Sequence, residues 1–131
     1  MIHYFLDSSV CVPVLRNKAP LETLPPPAEC AIPVIVAAEL WTGVKKNAVT
    51  HPQHIARLEA FLSLFPIPDF SINSAIEYAD IRAVLEAKGM SIGPLDLLIA
   101  AQARSLGATI VTGNAKEFQR VPDLSVMEFL V

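Results

Sequence analysis

"GPLDLLIAAQARSLGATIVTGN" (residues 93–114) reads as a buried helix that leads directly into a buried strand. Pro94 lies in the first helical turn, where a missing N–H costs little because that donor has no intrahelical partner anyway. "ATIVTGN" (108–114) is a continuous run of branched residues closed by turn formers, which predicts a strand buried on both faces. One carboxylate, Asp96, interrupts the apolar part of the helix among Leu95, Leu97, Leu98 and Ile99. It shares a face with Ala100, Ala103 and Gly107, a smooth surface suited to packing on a sheet. A lone acid on such a face needs a partner.

The same alternation of strand and helix runs through the rest of the chain. "IHYFLD" (2–7) predicts a strand and "SSVCVPVLRN" (8–17) a helix that Pro13 is placed to kink. "KAPLETLPPPAE" (18–29) holds four prolines and reads as a surface connection, without a functional account. "CAIPV" (30–34) predicts a short strand, and "IVAAELWTGVKK" (35–46) a helix whose closing lysines suit the negative helix end. An amphipathic helix over 52–65 carries Ile55, Leu58, Phe61, Leu62 and Phe65, and "PIPDF" (66–70) is a weak strand. Ser71 caps a long helix over 72–88 that Gly89 stops, and "LSVMEFL" (124–130) is placed to close the sheet at an edge. Strands alternating with helices imply a mostly parallel sheet covered on both faces, in one domain over 1–131.

Composition narrows the function. With 131 residues, 53% of them apolar, and a formal charge of −3, the chain lacks the broadly basic surface of a protein that coats nucleic acid. The mean hydropathy of +0.46 is high, yet no apolar run approaches the ~18 residues that indicate a membrane span. The N-terminus lacks a basic leader segment, so a cytoplasmic location is expected, with surplus apolar surface covered by a second copy or a partner. Cys11 and Cys30 read as buried thiols. His51 and His54, without a third ligand, read as solvated, and His3 as structural.

In parallel sheets the ligand crevice lies beyond the carboxyl ends of the strands, where strand order reverses. Asp7 ends the first strand, Thr112 closes the "TIVT" strand and Asn114 follows it, while Glu39 and Asp96 lie near the starts of helices that reach that rim. Each acid has a bland reading: Asp7 as a helix cap, Asp96 as an answer to the helix dipole, Glu39 as the polar stripe of an apolar helix. Three carboxylates on one rim would repel and raise one another's pKa unless a cation joined them. Oxygen ligands and few carboxylates suit Mg²⁺, with Mn²⁺ an acceptable substitute. Such an ion orients and activates water against a phosphodiester and reverses the local sign of charge. Arg16, Lys18, Lys45, Lys46, Lys116 and Arg120 are then candidates to hold flanking phosphates, although solvated helix ends explain each of them singly.

"FLDSSV", "AAEL" and "IGPLDLLIAAQARSLGATIVTGNAKEFQRVPDL" together resemble the PIN-domain ribonucleases, in particular the toxin half of VapBC-type toxin–antitoxin pairs. The resemblance covers essentially the whole chain. It implies a three-layer α/β/α fold, Mg²⁺-dependent endoribonuclease activity leaving a 5′-phosphate, a homodimer, and inhibition by a cognate antitoxin over the cleft. It aligns Asp7, Glu39 and Asp96 with the family's acidic metal site, Asp7 and Asp96 holding the ion and Glu39 orienting the attacking water or taking its proton. Ser9 matches a small hydroxyl beside the first acid, and Asn114 stands where many relatives carry a fourth acid. That neutral side chain implies one resting ion. Transfer RNA is a target the family suggests, and Trp41 offers a ring for a base or for the antitoxin, with core packing as the simpler reading.

Two other classes compete. A signalling receiver domain wants paired acids near the first strand and a lysine after the last, and a haloacid-dehalogenase-type phosphotransferase wants a second Asp where Ser9 stands. P-loop and glycine-rich dinucleotide motifs are absent. A PIN-like binding or scaffold protein without activity shares every motif above, so cleavage itself has to be measured.

Overall fold

The computed structural model describes residues 1–129. Four strands, β1 (Tyr4–Leu6), β2 (Cys30–Ala31), β3 (Thr109–Thr112) and β4 (Val126–Glu128), form one sheet in the order β2-β1-β3-β4. Every pairing is parallel: Phe5 lies opposite Ala31 and Ile110, and Val111 opposite Met127. Among the described residues six α-helices lie in the connections, α1 (Ser8–Leu15), α2 (Val34–Lys46), α3 (Gln53–Leu62), α4 (Ile72–Ala87), α5 (Pro94–Ser105) and α6 (Ala115–Phe118), with two short 3-10 turns at Leu21–Thr23 and Pro27–Glu29. From β1 the chain visits β2 on one side and returns to β3 on the other. The reversal of strand order therefore falls between the ends of β1 and β3.

Alternation along β1 divides the core. Phe5 and Leu6 are both fully buried and point to opposite faces. Leu6 joins the large cluster that includes Val10, Val36, Ile99 and Ile110, while Phe5 packs with Ala31, Ala103 and Ala108. The sheet is covered by helices on both faces, as the α/β pattern requires. Cys11 and Cys30 are free and buried. Burial pushes both thiols up, Cys30 to about 11, so neither is a nucleophile.

Several boundaries differ from expectation for reasons visible in the backbone. The strand expected over 30–34 stops at Ala31, because Pro33 has no N–H for a ladder and serves instead as the N-cap of α2. "PIPDF" (66–70) forms no strand. Its carbonyls are bonded elsewhere: Ile32 N donates to Pro66 O at 3.0 Å, and Gln102 Nε2 donates to Pro68 O at 2.7 Å. Gln102, a fully buried side chain on α5, thereby fastens an irregular segment that contains two residues lacking an N–H. The helix α3 ends at Leu62, with Leu64 and Phe65 in a tighter turn after it. Helix α1 keeps Pro13 inside it and gives way at Asn17, whose φ is +56°.

The other elements match. Ser71 Oγ accepts from Ser74 N at 3.2 Å to cap α4, and Gly89 leaves it with φ +64°. The edge strand expected over 124–130 is β4; residue 130 lies outside the described residues. Among the described residues no helix is long and apolar enough to cross a membrane.

Candidate active site

Asp7 follows β1 directly and is only 4% exposed. Its amide donates to Val111 O at 3.1 Å, so the β1–β3 ladder continues up to it. Its carboxylate then takes three donors. Oδ1 accepts from Ser8 N at 2.8 Å, which caps α1, and Oδ2 accepts from Ser9 Oγ and Thr112 Oγ1, each at 2.8 Å. The hydroxyls are themselves held: Gly113 N donates to Ser9 Oγ at 2.9 Å and Asn114 N to Thr112 Oγ1 at 2.9 Å. A carboxylate fixed by one amide and two hydroxyls has a single orientation. Capping and site-building are here the same contact.

Glu39, in α2, and Asp96, in the first turn of α5, approach from either side. Burial first, and then the charge of Asp7, raises the Glu39 carboxyl above its ordinary value. Its Oε1 is buried and has no hydrogen-bond partner among the described residues. Asp96 is pushed up to about 7, by burial first and then by the negative charges of Asp7, Glu117 and Glu39. The three acids expected at this rim thus feel one another's charge. The ion pairs among the described residues lie elsewhere, joining Arg82 to Glu86 and Arg104 to Glu77 and Asp80.

Among the described residues no three His, Cys, Asp or Glu side chains stand as a ready ligand cage. This differs from the expected joint grip of Asp7, Glu39 and Asp96. Like charges repel, and Asp7 spends its oxygens on Ser8, Ser9 and Thr112. The donor set still fits a hard divalent cation. It is all oxygen, one buried oxygen of Glu39 is unpartnered, and two carboxyls are raised first by burial and then by neighbouring negative charge that a cation would neutralise.

Glu117, in α6, was not singled out in the sequence. Its Oε1 accepts from Gly93 N at 2.8 Å and its Oε2 from Asn114 Nδ2 at 2.6 Å. The Gly93 amide is the first cause that holds the Glu117 carboxyl below its ordinary value, so Glu117 keeps its charge beside Asp96. The only local signal is Asn114 three residues ahead, a pattern that reads as an ordinary helix start.

The basic candidates are less concentrated. Arg16 caps α1 and lines a groove of about 350 Å³ with Val12, Leu40, Val44, Arg57 and Leu58, and Glu39 sits in its wall. Lys45 and Lys46 are exposed in the last turn of α2, with Lys45 Nζ 5.7 Å from the Trp41 ring, whose body packs on the core. Lys116 and Lys18 are exposed. Arg120 donates from Nη1 to Ser91 O at 3.1 Å and so is tied to the chain itself. His51 and His54 stack on each other 5.0 Å apart, and His54 lines the same groove as Glu39.

A family model described as "PIN domain" matches residues 4–124. The chain is 43% identical over 127 residues to "Ribonuclease VapC2" of Rickettsia felis, covering 92% of this chain and 93% of that one. It is 31% identical over 136 residues to the "tRNA(fMet)-specific endonuclease VapC" of Salmonella typhimurium, covering 98% and 99%. Among solved structures it resembles a chain of VapBC2 from Rickettsia felis bound to a promoter DNA fragment, with a TM-score of 0.88 and 39% identity over 99% of this chain and 100% of that one.

Proposed function

The chain belongs to the PIN-domain family, and from that membership we propose that it is the toxin of a VapBC-type pair, an endoribonuclease that cleaves RNA and is restrained by a cognate antitoxin. The observation that carries this reading is Asp7: a buried carboxylate at the reversal of strand order, held rigid by Ser9 and Thr112 and within electrostatic reach of Glu39 and Asp96. PIN-domain ribonucleases in general depend on a divalent metal. We assign Mg²⁺, with Mn²⁺ as a substitute, and take Asp7, Asp96 and Glu39 as the residues that would hold it.

When bound, the ion supplies positive charge for an RNA phosphate and eases deprotonation of the attacking water. The chain's own groups do the rest. Ser9 and Thr112 keep the Asp7 carboxylate turned toward the crevice. Glu39 Oε1, an acceptor without a donor, is available to take the proton of the attacking water. The neutral Asn114 keeps the net negative charge of the rim lower than a fourth acid would, and Arg16, Lys45, Lys46 and Lys116 are the cations proposed to meet flanking phosphates.

Transfer RNA is the proposed target, in line with the name of the Salmonella relative. The groove beside Glu39, apolar along Val12, Leu40, Val44 and Leu58 and rimmed by Arg16 and Arg57, suits an apolar segment of the antitoxin. A second copy of the chain would cover Ile72 and Ile76, which lie one turn apart on α4 and are 75% and 62% exposed. The reading takes 1–131 as one domain acting in the cytoplasm, where its RNA is.

The test is incubation of purified protein with total transfer RNA in Mg²⁺ and in chelator, followed by sequencing of the cut ends. Cleavage confined to Mg²⁺ or Mn²⁺ and lost in Asp96→Asn is expected. Cleavage that persists in chelator, or an Asp96→Asn protein as fast as the parent, overturns the assignment.

A further inference from the structure

We propose that Glu117 and Arg120 are positioning residues: from α6 and from the turn that follows it they grip the 88–93 connection and hold the start of α5 so that Asp96 stays turned to the crevice. The proposal rests on the nuclease reading above.

Helix α5 has Gly93 as its N-cap, so Pro94, Leu95 and Asp96 are its first three residues. A carboxyl at the third position can reach back to the amide of the N-cap residue, the half of a capping box that needs no N-cap side chain. Gly93 has no side chain with which to cap the helix, so its own amide is the donor a nearby carboxyl can take. The Gly93 amide is nevertheless taken, by Glu117 Oε1 at 2.8 Å from 24 residues away. An ideal Cβ built on Gly93 would lie 3.6 Å from Glu117 Oε1 and 3.8 Å from Asp96 Oδ2, so the two carboxyls crowd one place and Glu117 occupies the donor. The capping acid is supplied by another helix, and Asp96 is released for the site.

The grip has two arms and a firm base. Asn114 Nδ2 donates to the other oxygen of Glu117 at 2.6 Å, and Arg120 Nη1 donates to Ser91 O at 3.1 Å, two residues before Gly93. Bonds to Ser91 and Gly93 from α6 and the turn directly after it resist both sliding and twisting of the connection. Phe118, between the two arms, is fully buried, and Ala115 and Val121 are buried beside it. Arg120 is thereby a tie within the fold rather than a free phosphate ligand.

Crystal structures and steady-state RNA cleavage of Glu117→Ala and Glu117→Gln test this. In Glu117→Ala the Asp96 carboxyl should fold back within hydrogen-bond distance of Gly93 N, with kcat lowered by about tenfold to a hundredfold and KM changed by less than about twofold. Glu117→Gln retains a carbonyl for Gly93 N, and Asn114 turns its amide to match, so Asp96 should stay in place and kcat should stay within about threefold of the parent. Arg120→Ala should lower kcat less, and the double variant with Glu117→Ala should lose less than the product of the two, because both arms act on one connection. Asp96 unmoved in Glu117→Ala overturns the proposal. So does a Glu117→Gln protein as inactive as Asp96→Asn, which would make Glu117 a ligand-side acid. If the parent cleaves no RNA at all, the nuclease reading fails separately, and the position of Asp96 in the two crystal structures still decides the clamp.

Discussion

Burial and the charges of Asp7, Glu117 and Glu39 raise the Asp96 carboxyl to about 7, so above its ordinary value the folded chain keeps a proton that the unfolded chain has released. Stability therefore falls as pH rises from about 4 to about 7, the opposite of an acid held by a cation. In chelator at pH 8, Asp96→Asn should melt a few degrees above the parent, with the gap closing as pH falls toward about 4; calorimetry across that range checks it. Adding Mg²⁺ should raise the parent's Tm and leave Asp96→Asn nearly unmoved, since only a protein that binds the ion gains from it. Thr112→Val removes a hydroxyl that donates to Asp7 and accepts from Asn114 N. It should cost about 1–3 kcal/mol in urea unfolding and reduce cleavage at least about tenfold, because a buried carboxylate is left short of a donor.

Helix α5 carries four separate duties on one short element. Its start presents Asp96, its middle buries Ile99 and Ala100, and Gln102 holds the Pro68 and Asp69 carbonyls, with Arg104 pairing to Glu77 and Asp80 of α4. The Gln102 bonds account for the irregular path of the segment 66–70, which reads as a weak strand in the sequence. Gln102→Leu keeps the volume and drops both donors. It should destabilise by about 1–2 kcal/mol and speed amide exchange around 66–70 while leaving RNA cleavage unchanged, because those carbonyls lie away from the Asp7 rim. A fall in cleavage equal to that of Thr112→Val would contradict this division of labour. Arg104, whose side chain is 11% exposed, sits in a partly buried network and not a surface pair, so its loss should matter more than that of Arg82.

Across the molecule, a chain of net charge −3 has to draw a polyanion to a rim built from acids. Only local cations serve, and they are spread over the ends of α1, α2 and α6. RNA affinity should accordingly depend weakly on salt, with a log–log slope of about −1 to −3, reflecting a few phosphate contacts and not the extended footprint of a basic protein. Filter binding of a chelator-treated sample between low and physiological salt measures it. A slope several times steeper would place the RNA on a basic surface outside the proposed rim.

Strand and helix alternation, the caps at Ser71 and Gly89 and the burial of both thiols were all legible, because each depends on neighbours within a few residues. The same holds for Asp7 at a strand end and for Asp96 as a lone acid among apolar residues: a charge in such company stands out locally. Glu117 did not stand out, since its partner Gly93 is 24 residues away and its own surroundings look like any helix start. The carbonyls of 66–70 were equally hidden, because their donors come from Ile32 and Gln102. Periodicity and punctuation act over single turns and strands, so they set the order and kind of the elements. Which distant side chain meets which backbone group, and so where each carboxylate points, follows from packing on the two faces of the sheet.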